Sequence, residues 1–224
     1  MARLARIVIL GLPHHVTQRG NRRETVFFSD EDYQTYIEFL SIKVKKAGSQ
    51  VWAWCLMPNH VHLIVVPSHA DGLRQSVANA HRRYSGLINA RNKWTGHIWQ
   101  GRYGSVVMDE HHLMNAFLYI SQNPVRAGLV ERASDWKWSS VHAHLSGRDD
   151  GLTTVEPAIS RIPDFASFLA TQVDDEQFNP LRRAEIVGRP VGNDDFIQAL
   201  EKQTKRTLKP RKKGRKVKKT SLKR

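Results

Sequence analysis

The chain has 224 residues, 40% of them hydrophobic, and a formal net charge of +14, which is length enough for one packed domain of roughly 150 residues with an appendage. Its single cysteine, Cys55, excludes an internal disulfide framework and fits a reducing compartment. No stretch approaches the ~20 apolar residues of a membrane span, and the apolar run at 7–12 leads into Pro13-His14-His15 instead of a cleavage site, so a soluble cytoplasmic protein is expected.

A first strand is expected over 14–18, ended by the turn-forming pair Gly20-Asn21. Ser29 reads as the N-cap of a helix, with Asp32 three residues on, close to a capping box. Tyr33, Tyr36, Ile37, Leu40 and Val44 recur at helical spacing, and Gly48 closes the helix. Residues 50–56 read as a second strand with Trp52 and Trp54 on one face. Met57-Pro58-Asn59 then turns the chain into the apolar run His60-Val61-His62-Leu63-Ile64-Val65-Val66, which completes an antiparallel pair.

Side chains on a strand alternate faces, so His60 and His62 project to the same side, two residues apart. Two imidazoles held that way on a rigid element can share one divalent metal. The competing reading is a pair of partly buried rings satisfied by hydrogen bonds.

Residues 72–91 give a second helix, with Leu73, Val77, Ala80, Tyr84 and Leu87 inward and Arg74, His81, Arg82 and Arg91 outside. A fourth strand is expected at 103–108. The order β-α-β-β-α-β is that of a ferredoxin-like split sheet, an α+β fold. A third helix follows Asp109, its N-cap, with a core stripe of Leu113, Ala116, Phe117 and Ile120. Tyr119 and Asn123, four apart, stack on the flank of that stripe. Pro124 is expected to end the helix at Asn123.

Charge divides the chain further. Residues 1–148 carry a balance of +8 and residues 149–204 a balance of −6, while residues 205–224 hold 12 basic residues and no acid. The expected division is a globular domain over 1–148, an acidic, partly helical extension over 149–204, and a disordered basic tail over 205–224 attracted to polyanions. No amphipathic apolar face accompanies the tail, which favours nucleic acid over a membrane surface. Arg19, Arg22, Arg23, Arg82, Arg83 and Arg102 are candidate phosphate contacts. Trp94, Trp99 and Tyr103, interleaved with Lys93 and Arg102, are candidate platforms for unpaired bases, with core packing as the alternative.

The motif His60-Val61-His62 resembles the His-hydrophobic-His signature of the HUH single-strand nucleases. Followed by Tyr119-Ile120-Ser121-Gln122-Asn123-Pro124-Val125-Arg126-Ala127-Gly128-Leu129-Val130, it is similar to the single-tyrosine transposases, and in particular to the REP-associated tyrosine transposases. Further matching pieces are His15-Val16-Thr17-Gln18-Arg19-Gly20-Asn21, Trp99-Gln100-Gly101-Arg102-Tyr103, Trp136-Lys137-Trp138-Ser139-Ser140 and Gly188-Arg189-Pro190-Val191-Gly192. The likeness covers most of residues 13–200.

The resemblance implies a metal-dependent endonuclease and strand transferase, in which Tyr119 attacks a phosphodiester of single-stranded DNA and leaves a 5′-phosphotyrosine. The other tyrosines fit that role less well: Tyr33, Tyr36 and Tyr84 lie on inward stripes and Tyr103 opens a strand. The same resemblance makes His60, His62 and Asn123 the ligands of Mg²⁺ or Mn²⁺. Some relatives carry glutamine where this chain has Asn123, and Gln122 is the alternative third ligand if the helix unwinds before Pro124. His14, His15, His111 and His112 are assigned surface or hydrogen-bonding roles. The implied partner is single-stranded DNA bearing hairpins of repetitive extragenic palindromes, in a bacterial, nucleoid-associated protein acting as monomer or homodimer. Two rival readings are a non-catalytic nucleic-acid-binding regulator and a metal phosphoesterase that uses water.

Overall fold

The computed structural model describes residues 6–172 and 174–209; most of the basic tail, residues 210–224, lies outside the described residues. Four strands, β1 (His14–Arg19), β2 (Gln50–Met57), β3 (His60–Val66) and β4 (Gly104–Val107), form one antiparallel sheet in the order β2-β3-β1-β4. The crossovers carry α1 (Asp30–Lys46) and α2 (Asn79–Asn92), so the chain has the split β-α-β-β-α-β arrangement read from its periodicity.

Alternation along β3 decides what each face of the sheet carries. Val61, Leu63 and Val65 join Val16, Tyr36, Leu40, Val44, Tyr84 and Ile88 in a core beneath α1 and α2. Ile64 and Val66 point the other way, into a second core with Leu113, Ala116, Phe117 and Ile120 of α3 (Glu110–Arg126). His60 and His62 share that second face, and α3 lies across it.

Several local expectations are corrected. The register passes from Val51 opposite Val65 to Ala53 opposite Ile64, so Trp52 is a bulged extra residue. Trp52 therefore joins the α3 side and Trp54 the α1 side, not one common face. Leu87 is 39% exposed, and Ile88 takes the inward place. His81 is buried instead of outside, with its Nε2 2.7 Å from Tyr36 Oη, and a π-helical turn (Arg74–Ala78) precedes α2. The capping box is only half made: Ser29 gives no side-chain cap bond, while the Asp32 carboxylate faces the Ser29 N–H and also accepts from Arg91 at 2.6 and 2.9 Å and from the Phe28 N–H at 2.9 Å, tying α1 to α2. Pro124 does not end α3. It lacks only its own N–H, the Ala127 N–H still reaches the Asn123 carbonyl at 3.0 Å, and the helix runs on to Arg126.

Beyond α3 the chain adds α4 (Val141–Ser146), α5 (Glu156–Ile159), α6 (Phe165–Leu169), α7 (Asn179–Val187) and α8 (Asp194–Thr204). Between α7 and α8, Val191 bridges Met108 and exchanges backbone bonds with Val107 and Asp109 at 3.0 and 3.1 Å. Gly192 permits this approach, since a Cβ there would lie 2.3 Å from the Phe196 ring and 3.0 Å from Asp109 Oδ2. That junction lays α7 against β4 at the open edge of the sheet. Ile197 and Leu200 of α8 pack with Ile7, Ile9 and Leu208. Among the described residues, no helix is long and apolar enough to cross a membrane.

Candidate active site

His60 and His62 stand side by side on β3 with ring centroids 5.0 Å apart. The Nδ1 of His60 lies 2.6 Å from Asn59 Oδ1, an acceptor, so this nitrogen carries the proton and Nε2 keeps its lone pair. The Nδ1 of His62 lies 3.0 Å from His15 Nε2, and among the described residues His62 Nε2 is buried without a hydrogen-bond partner. Burial lowers the pKa of His60 to about 4, helped by Arg19. Burial also lowers that of His62 well below its ordinary value, with smaller contributions from His60, His15 and Arg19. Both rings are neutral near pH 7, the form that binds metals.

Tyr119 reaches this face from α3. Its ring meets His62 edge to face at 5.4 Å and His15 at 6.1 Å, and Phe178 packs against it at 5.2 Å. The guanidinium groups of Arg126 and Arg182 lie 5.0 and 5.8 Å from the ring centroid. Burial raises the phenol pKa and nearby Glu185 raises it further, while a hydrogen bond and the charge of Arg182 oppose them. Asn123, one turn on, is buried, and its Nδ2 has no partner among the described residues. Gln122 points elsewhere: its amide donates to the Leu169 carbonyl at 2.9 Å, beside α6.

Four polar residues of this site were not assigned to it by the sequence: His15, Arg126, Arg182 and Glu185. His15 is 1% exposed, and burial lowers its pKa to about 3. Its place could have been found from strand alternation, because Thr17 pairs with His62 and His15 is the next residue on that face of β1. Arg182 and Glu185 come from α7, whose docking no local pattern announces. Burial raises the pKa of Glu185 to about 7 against the opposing charges of Arg19 and Arg182. His14, His111 and His112 have the hydrogen-bonding roles expected of them. His14 is buried, accepting from the Ile9 N–H and lying 2.8 Å from the Leu12 carbonyl; His111 contacts Asn115 and His112 contacts Asp109.

A cleft of about 180 Å³ opens beside the histidines, lined by Arg19, His60, His62, Arg102, Glu185 and Ile186 among others. Of the six candidate arginines, Arg19 and Arg102 line it. Arg82 lines an adjoining cleft that shares Arg102 and Arg6. Arg22 and Arg23 sit in the turn after β1 with positive φ, and Arg83 lies over the Phe39 ring on the opposite helical layer. Trp94 is 51% exposed and packs edge-on with Phe28. Trp99 and Tyr103, in contrast, are core residues, and Arg6 covers the Tyr103 ring at 3.7 Å.

The donor chemistry here fits a divalent cation. Both histidines of the pair have Nδ1 engaged, leaving Nε2 as the lone-pair nitrogen, and the buried Nε2 of His62 and Oε1 of Glu185 lack hydrogen-bond partners among the described residues. His15, His62 and Glu185 also bring potential ligand atoms within 4.8 Å of one another. Buried polar groups are seldom left unsatisfied without a reason such as an ion.

The sequence model of the IS200-like transposases matches residues 9–123, which hold the whole sheet, α1, α2 and α3 as far as Asn123; the chain belongs to this family. It is 28% identical over 107 residues to the REP-associated tyrosine transposase of Escherichia coli, a match covering 47% of this chain and 62% of that protein. A Haemophilus influenzae protein assigned to the same group is 30% identical over 101 residues, covering 40% of this chain and 57% of its own length. The matched part thus spans about three fifths of these relatives. The solved structure of a REP-associated tyrosine transposase bound to a REP hairpin shares the fold, with a TM-score of 0.53 and 24% identity over 70% of this chain and 93% of that one.

Proposed function

We propose that this protein cuts and rejoins single-stranded DNA through a covalent phosphotyrosine at Tyr119, acting on hairpin-bearing strands of the REP kind. The observation that carries this reading is the Tyr119 ring packed against His62, beside two imidazoles that both present an open Nε2. The names of the curated relatives, and the hairpin bound in the solved relative, support the choice of substrate.

In this account the phenol oxygen of Tyr119 forms a bond to phosphorus as the P–O3′ bond breaks. The 3′-oxygen leaves with a proton, giving a free 3′-hydroxyl and a 5′-phosphate on the protein. Attack by a 3′-hydroxyl on that phosphotyrosine reverses the step and rejoins DNA. Burial holds the resting phenol protonated, and Arg182 favours the phenolate as it forms. Arg126 adds a second positive charge beside the ring. Mg²⁺ or Mn²⁺, held by His60 and His62 with Asn123 as third ligand, would stabilise negative charge at the scissile phosphate. Arg19 and Arg102 contact backbone phosphates in the cleft, and exposed Trp94 stacks an unpaired base.

End-labelled hairpin oligonucleotides test this directly. With Mn²⁺ present, a 3′ label should stay with the protein on a denaturing gel, while a 5′ label should leave on a short free fragment. Cleavage with neither label retained would mean a water-using phosphoesterase. Binding without cleavage would mean a regulator.

A further inference from the structure

Behind His62 runs a line of polar contacts that the cleavage step does not use. The Nδ1 of His62 lies 3.0 Å from His15 Nε2, and the Nδ1 of His15 lies 3.4 Å from Glu185 Oε1. The three residues come from β3, β1 and α7. His62 and His15 are 2% and 1% exposed, and the Glu185 side chain is 20% exposed at the cleft wall. The His15–Glu185 contact is at ion-pair distance and is not a hydrogen bond, and neither His15 Nδ1 nor Glu185 Oε1 has a hydrogen-bond partner among the described residues.

We propose that Glu185 and His15 are positioning residues that fix the tautomer of His62, so that a lone pair and not an N–H faces the ligand position at its Nε2. The inference rests on the ligand role given to His62 above. A neutral imidazole has one N–H and one lone pair, and the partner of one nitrogen decides which the other presents. An ionised Glu185 can only accept, so His15 turns Nδ1–H toward it across the 3.4 Å contact. The Nε2 of His15 is then a lone pair and accepts from the Nδ1–H of His62. His62 Nε2 is left bare.

The reversed assignment fails at both ends. It would bury a His62 Nε2–H with no acceptor and, with Glu185 ionised, would turn the His15 Nδ1 lone pair toward a carboxylate oxygen, acceptor against acceptor. Asn59 does for His60 in one step what His15 and Glu185 do for His62 in two. Partners of this kind, behind a ligating histidine, typically change metal affinity by about 10–100-fold. Glu185 lies outside the residues 9–123 shared with the family, so the C-terminal extension takes part in setting up the centre.

The test uses the full chain, labelled with ¹⁵N-histidine and free of metal. Two-bond nitrogen–proton correlations report the tautomer of His62, and Mn²⁺ binding by electron paramagnetic resonance reports its consequence. His62 of the unaltered protein should be the Nδ1–H tautomer. Glu185→Leu should give mixed tautomers and about tenfold weaker Mn²⁺ binding, and Glu185→Gln, whose carbonyl still accepts, should restore both.

An Nε2–H tautomer in the unaltered protein would overturn the proposal. So would an equal fall in Mn²⁺ affinity in both variants with the tautomer unchanged, which would make Glu185 a ligand or a charge. The tautomer is read without DNA or cleavage, so the relay can stand or fall separately from the phosphotyrosine chemistry.

Discussion

His62 and Tyr119 meet edge to face, with ring centroids 5.4 Å apart and planes at 86°. One is fixed by the alternation of β3 and the other by the turn of α3, so the packing of α3 on the sheet decides whether the proposed nucleophile and the proposed ligand meet. Phe117 and Ile120, both fully buried, hold that packing on either side of Tyr119.

Removing each proposed ligand should separate chemistry from stability. His60→Ala should abolish the stimulation of cleavage by Mn²⁺ or Mg²⁺ and leave metal-free thermal unfolding nearly unchanged, because this ring is only partly enclosed. His62→Ala should lose the same stimulation and also about 1–3 kcal/mol of stability, since its ring is 2% exposed and its removal leaves a cavity. Metal-dependent cleavage measured beside calorimetry checks both; retained stimulation in His60→Ala would remove it from the ligand set.

Arg182→Ala should move the acid limb of the cleavage rate to higher pH. Arg182 lowers the pKa of Tyr119 by a hydrogen bond and by its charge, whereas burial and Glu185 raise it. Without Arg182 the phenol ionises less readily, so a given rate is reached only at higher pH. A pH–rate profile that keeps its position, with only DNA affinity weakened, would leave Arg182 a phosphate contact and nothing more.

Acid should destabilise the fold through its buried histidines. Burial lowers the pKa of His81 to about 3 from 6.5, so as pH falls below 6.5 the unfolded chain takes up a proton that the folded one refuses. Its contribution is full above pH 6.5 and is lost progressively toward pH 3, with about 2 kcal/mol gone at pH 5. His81→Gln should flatten the fall in melting temperature between pH 7 and 5. An unchanged slope would show that other groups control acid unfolding.

Truncation after Lys209 should weaken binding to any single strand without changing the position of the cut. Residues 210–224 carry nine basic residues and no acid, and such charges engage phosphates without reading bases. Leu208 is buried and Lys209 pairs with Asp194, so this cut keeps the packing of α8. Affinity across a salt series should show a log–log slope flatter by about 0.7 for each phosphate that the tail no longer neutralises. A new cleavage position in the truncated protein would mean that the tail reads sequence.

The sheet and the histidine pair were legible because strand alternation and helical spacing are local. His60 and His62 on one face, and Leu113, Ala116, Phe117 and Ile120 on one stripe, follow from counting. Asp32 shows where counting stops, since an acid near a helix start suits a capping box and a buried pair with Arg91 equally well. The pair is supplied by α2, 59 residues away. Trp52 hides its bulge for a similar reason, because the register shift is visible only against β3. Arg182 and Glu185 lay furthest out of reach: α7 brings them to the site through the packing of Leu181 and Ala184 in the second core and the bridge of Val191 onto Met108 at the sheet edge.

Whether Tyr119 becomes covalently joined to DNA can be read from Tyr119→Phe. The substitution removes one oxygen from a ring that is 8% exposed and keeps its packing against His62 and Phe178. With a 3′-labelled hairpin strand and Mn²⁺, the unaltered protein should give a slow-migrating protein–DNA band on a denaturing gel. The variant should give none while binding the strand with nearly unchanged affinity. A variant that still forms the band would place the nucleophile at another residue and contradict this account.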